Sequence, residues 1–75
     1  MRKLTVGKRQ IHDNIRRLRH ARGFSQYDLA RLLEVDQATI SYWESGRAAP
    51  NWRREPFVAR VLGVTVKQLR GESAA

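Results

Sequence analysis

Apolar residues recur along this chain at helical spacing in short stretches, and all but one of these stretches are followed by a glycine. Ile11, Ile15 and Leu18 stand four and three apart and share one helical face, which predicts a first helix from about Ile11 to Arg22. Leu29, Ala30 and Leu33 predict a second over about Gln26 to Leu33, and Ile40 and Trp43 a third over about Gln37 to Ser45. Only Glu34, Val35 and Asp36 separate these two, so they must cross steeply. Ala30 falls at the expected crossing, where a small side chain allows close approach. Phe57, Val58, Val61 and Leu62 predict a fourth helix over Glu55 to Leu62 with all four facing inward, and a short fifth follows over Val66 to Leu69.

Start and stop signals agree with these spans. Gly23, Gly46, Gly63 and Gly71 stand where helices should end. Ser25 with Asp28, and Thr65 with Gln68, have capping-box spacing, and Asp36 is placed to cap the third helix. Pro56 fits only a first helical turn, leaving Asn51 to Arg54 as a turn or helical lead-in. The first ten residues lack helical periodicity and predict a mobile arm, with a faint strand signal where Leu4 and Val6 alternate with polar neighbours. The expected organisation is a basic arm over 1–10, an all-α domain of five short helices over 11–70, and a tail over 71–75.

Composition narrows the partner. The 75 residues allow one domain, and a chain this small buries only about 60% of the surface its unfolded form exposes. With no cysteine there is neither disulfide nor thiolate zinc site to brace it, so helices must supply the core, in keeping with a reducing cytoplasm. No apolar run approaches the roughly 20 residues of a membrane span. No apolar signal-peptide core follows the basic N-terminal residues. The formal charge of +8 draws the chain to polyanions, and it is unevenly placed. Up to Phe24, eight basic residues face Asp13 alone. From Ser25 to Ser45, Arg31 faces four acids, and from Gly46 on, six basic residues face two acids. The flanks are cationic and the middle is not.

Catalytic chemistry finds little support. His12 and His20 stand eight apart with no cysteine or acidic cluster nearby, so no metal is expected. His12 and Asp13 lack an accompanying nucleophile, and no glycine loop is present to cradle phosphate. The expectation is a non-enzyme without cofactor. By contrast, the outward side of the third helix shows Gln37, Ala38, Ser41 and Tyr42, small or hydrogen-bonding groups suited to a major groove. The Gln37 amide both donates and accepts, as adenine's N6 and N7 require, and Ala38 suits a thymine methyl. Tyr42 has two readings, donation to a base edge or phosphate, or partial burial beside Trp43. Thr39 and Ser41 are candidates for phosphate contact.

The residues Ile15, Leu18-Arg19, Gly23-Phe24-Ser25-Gln26, Leu29-Ala30, Val35, Thr39-Ile40-Ser41, Trp43-Glu44, Gly46, Pro50 and Leu62-Gly63-Val64 together resemble the lambda-repressor and Cro-like helix-turn-helix proteins, the XRE family. The likeness runs from Ile11 to Leu69 without a gap. It implies that double-stranded DNA is the partner. In the family the positions matching Gln37, Ala38 and Tyr42 face bases, and the one matching Gln26 contacts phosphate while bracing the base reader. Arg47 matches a basic loop residue that grips the backbone, with Asn51, Arg53 or Arg54, and Arg22 as further clamp candidates. Arg19 and Glu44 match a largely buried ion pair. One departure stands out: Glu34 occupies a turn position where the family usually has glycine, which predicts a slightly altered turn.

The family also implies a homodimer on two half-sites and, most often, repression. Three other readings use the same residues. An antitoxin that represses its own promoter would have a small toxin as partner. An adaptor would have kept the fold and lost DNA binding, against which the basic excess argues. A membrane-surface protein is disfavoured by the tight spacing of helix signals.

Overall fold

The computed structural model describes residues 8–72. The strand signal at Leu4 and Val6 lies outside the described residues, as does the tail beyond Glu72. The described regular structure is all helical: α1 Lys8–Ala21, α2 Gln26–Leu33, α3 Gln37–Ser45, α4 Glu55–Leu62 and α5 Val66–Leu69. Four of the five helices span the ranges expected from the sequence. The exception is α1, which begins at Lys8 rather than Ile11 and ends one residue before Arg22. Lys8, Arg9 and Gln10 carry no apolar signal, but all three are strong helix formers. The helix therefore takes in the end of the expected arm.

The core gathers one stripe from each helix. Ile11 and Ile15 of α1, Leu29, Ala30 and Leu33 of α2, Ile40 and Trp43 of α3, Val58, Ala59 and Leu62 of α4 and Leu69 of α5 are buried together. α2 packs closely on α3, with Ala30 buried as expected, and α1 contacts α3, α4 and α5. One inward assignment fails: Phe57 stays 43% exposed. The buried arc of α4 is centred on Val58, Ala59 and Leu62, which puts Phe57 on its flank, and the small Ala59 takes the inward slot. Polar ties close the far end of the fold. The Asn14 amide donates to the Leu69 carbonyl at 3.0 Å, and Arg70 donates to Glu55 at 2.6 Å.

Both expected capping boxes form. Ser25 Oγ accepts from the Asp28 amide while Asp28 accepts from the Ser25 amide, each at 2.9 Å, and Thr65 and Gln68 repeat the pattern. These bonds hold the Asp28 carboxyl below its ordinary value, the Ser25 backbone amide being the main cause. Asp36 is different. Its backbone takes the N-cap conformation, but its side chain makes no capping bond. The exposed carboxylate keeps its hydration, and α3 starts without side-chain capping.

Candidate nucleic-acid interface

The turn between α2 and α3 sets the aim of α3. Glu34 caps α2 in the left-handed region, at φ 60° and ψ 45°, and the Val35 amide donates back to the Ala30 carbonyl at 3.0 Å. Glu34 is the one non-glycine residue with positive φ among those described. The altered turn expected from the loss of glycine is therefore absent: Glu34 adopts the conformation glycine would have supplied, at a cost of about 1–2 kcal/mol.

With Ile40 and Trp43 sunk in the core, α3 turns Gln37, Ala38, Ser41 and Tyr42 to solvent. Thr39 lies half-buried at the edge of this face. Tyr42 is 46% exposed, so the part of it that is covered still leaves the ring open on this face. No residue of this outward face is charged. At the end of α3, Gly46 takes φ 89°, and a side chain there would press on the buried His12 ring. The chain then turns so that the Arg47 guanidinium lies 5.6 Å from the Tyr42 ring centre, a cation–π distance. Arg47 is thus brought to the exposed face of α3.

Behind this face lies the ion pair. Arg19 Nε donates to Glu44 Oε2 at 2.6 Å and Arg19 Nη2 to Glu44 Oε1 at 3.0 Å, while Arg19 Nη1 donates to the Phe24 carbonyl at 2.9 Å. Gln26 joins the same network, donating to Glu44 Oε1 at 3.1 Å. Gln26 is thus braced by Glu44 rather than paired with Gln37, because the amide at the start of α2 meets the carboxylate already fixed by Arg19. Beside the network opens a cleft of about 370 Å³ between Arg16 and His20 of α1, Gln26, and Ser41 and Ser45 of α3. Arg16, His20 and Ser45 carry no site signal in the sequence. They meet only because α1 crosses α3 here.

Two backbone-clamp candidates each make one side-chain tie within the fold. Arg22 Nε donates to the Leu62 carbonyl at 3.1 Å, and a Cβ at Gly63 would collide with its guanidinium. Arg22 Nε therefore satisfies a carbonyl at the end of α4, while the residue as a whole stays exposed. Asn51 Oδ1 accepts from the amides of Arg53 and Arg54 at 3.0 and 3.1 Å, so it pins its own turn. Arg53 and Arg54 remain exposed.

The comparisons bear on the fold and the family. BcrR, an HTH-type transcriptional activator of Enterococcus faecalis, is 30% identical over 60 residues, which are 80% of this chain and 29% of that protein. The chain thus spans under a third of that relative's length. Among solved structures, the clp gene regulator ClgR of Corynebacterium glutamicum superposes with a TM-score of 0.78 at 20% identity, over 91% of this chain and 71% of that one. HppE, in its iron(II) complex with substrate, matches with a TM-score of 0.78 at 22% identity, over 84% of this chain and 37% of that one. At these identities the two structures share the fold alone. No helix among the described residues is long and apolar enough to cross a membrane. The model of the helix-turn-helix domain matches residues 13–72, four-fifths of the chain, and the protein belongs to that family.

Proposed function

We propose that this chain is a sequence-specific duplex-DNA-binding domain of a transcription regulator of the lambda-repressor and Cro-like type, with no enzymatic role, acting in the cytoplasm. The observation that carries this reading is the outward face of α3. It is uncharged and rich in hydrogen-bonding groups, and Arg47 is held against Tyr42 at its end. In this reading α3 enters the major groove and Gln37, Ala38 and Tyr42 meet base edges. Thr39, Ser41, Gln26 and Arg47 meet phosphates, joined by Arg53 and Arg54 from the turn after Pro50. Gln26 and Ser41 line the cleft beside α3, which gives a backbone phosphate room to sit. Arg22 and Asn51 each keep donor groups free of the bonds they make within the fold, the Arg22 Nη atoms and the Asn51 amide nitrogen, and these complete the clamp.

One short helix covers few base pairs, so two copies on half-sites about one DNA turn apart would supply the specificity. Occupancy of a promoter represses without further contacts. Activation, the activity named for BcrR, would need an additional contact with the transcription machinery. An antitoxin that controls its own promoter would use the same face, and a small protein co-purifying with the chain would mark it. The test is selection of binding sites from random duplex DNA. The expected result is enrichment of a short motif, repeated with two-fold symmetry. Recovery of unenriched sequence would overturn the sequence-specific reading.

A further inference from the structure

Trp52 is 70% exposed, the highest value among the large hydrophobic side chains described. Its place is fixed. Pro50, two residues before it, is buried, and Asn51 closes the turn over residues 51–54 through its side chain and its carbonyl. The Arg53 guanidinium lies 5.3 Å from the centre of the Trp52 ring system. A turn pinned by Asn51 thus presents an indole with a cation stacked on it, and such an amphipathic pair, apolar at the ring and charged at its edge, is the kind of group enriched at interfaces.

The charge around the ring selects the partner. Arg47, Arg53 and Arg54 fall within eight residues of chain, and the nearest acid, Glu55, is already bonded to Arg70 at 2.6 Å. A second copy of this chain would bring like charges together. A polyanion would not, and Arg47, at the end of α3, is only five residues from Trp52. Resting on the DNA-binding reading above, we propose that Trp52 is an anchoring residue, its indole packing against the sugar–phosphate edge of duplex DNA beside the groove that α3 enters. Arg53, stacked on the ring, meets the neighbouring phosphate. Such a contact is tolerant of sequence because it touches no base edge. Unlike a phosphate contact, an apolar contact displaces no counterions, so it should leave the salt dependence of binding untouched.

The two tryptophans make the test direct, because Trp43 is buried and Trp52 alone is open to a quencher. Acrylamide quenching of the full chain is measured free and saturated with mixed-sequence duplex DNA. The expected result is a several-fold fall in quenching on binding. Trp52→Ala should weaken binding about tenfold at every salt concentration with an unchanged slope, with most affinity recovered in Trp52→Phe. Arg53→Ala should instead flatten log K against log salt by about 0.9. Circular dichroism checks that the variants remain folded. Undiminished quenching in the saturated complex, with full affinity in Trp52→Ala, would overturn the proposal. So would shielding of Trp52 that grows with protein concentration in the absence of DNA, since that marks contact between copies. If the unaltered chain binds no duplex at all, the DNA-binding reading falls as well, whereas binding with an exposed Trp52 overturns this inference alone.

Discussion

Arg19 on α1 and Glu44 on α3 meet at 2.6 Å with their side chains only 9% and 5% exposed, and the same carboxylate holds Gln26 at the start of α2. Three helices are therefore tied through one acid directly behind the exposed face of α3. Removing Glu44 would leave a guanidinium nearly out of water with only the Phe24 carbonyl and the neighbouring His20 ring for company. Glu44→Ala should lower stability by about 3–5 kcal/mol, a large part of what a domain of this size has to lose. Arg53→Ala, on the exposed turn, should stay within about 0.5 kcal/mol of the parent. Urea unfolding of the two variants checks this, and equal losses would count against a structural role for the pair.

The ion pair was readable in the sequence through the family likeness, and the helices through their apolar periods. A period says which residues of a helix turn inward. It does not say which part of another helix comes to meet them. The tie made by Arg22 Nε was not readable because its partner, the Leu62 carbonyl, lies forty residues away and is exposed only where α4 stops. Phe57 looked like core because a hydrophobic residue beside a buried stripe is indistinguishable from a member of it until the helix is rotated into place. The cleft beside Gln26 had no sequence signal for the same reason, since its walls come from three helices that meet only in the folded chain.

Glu34 stores strain that glycine would release. Its φ of 60° is a left-handed conformation that a β-carbon disfavours. Glycine has no such penalty, although it also gives the unfolded chain more freedom. The balance favours the substitution: Glu34→Gly should stabilise the domain by about 0.5–1 kcal/mol. Thermal melts should show a higher midpoint, and a lower one would mean that the Glu34 side chain makes up for its backbone strain.

The capping box at the start of α2 makes stability depend on acid. The Ser25 amide and hydroxyl hold the Asp28 carboxyl below its ordinary value of 3.8. The folded state therefore binds this proton less readily than the unfolded state does. The contribution is fully present above pH 3.8 and is lost as the pH falls through the lower folded value. At neutral pH Asp28→Ala should melt at a lower temperature than the parent. The gap should narrow as the solution is taken below pH 3.8, and a gap that holds constant into strong acid would show that the charge on Asp28 plays no part.

If α3 reads bases as proposed, the charge pattern separates attraction from reading on this surface. The outward face of α3 is uncharged, and of the four acids between Ser25 and Ser45, Glu44 is paired and Asp28 is held in its capping box. Affinity must come from cations beyond that segment, with Arg47 foremost because its stacking on Tyr42 brings it to the α3 face. Gln37→Ala should lose about 1–3 kcal/mol of discrimination at one base position while binding to random duplex stays the same. Arg47→Ala should weaken specific and random duplex alike and flatten the salt slope by about 0.9. The 5.6 Å contact adds a sharper test, because a stacked pair should not behave as two independent groups. Losses from Tyr42→Ala and Arg47→Ala should fail to add by about 0.5–1 kcal/mol, whereas Gln37→Ala and Arg47→Ala, with no shared contact, should add within about 0.5 kcal/mol. A double-mutant cycle in duplex binding measures both. Full additivity of the Tyr42 and Arg47 losses would show that the stacking does not place Arg47 on the DNA.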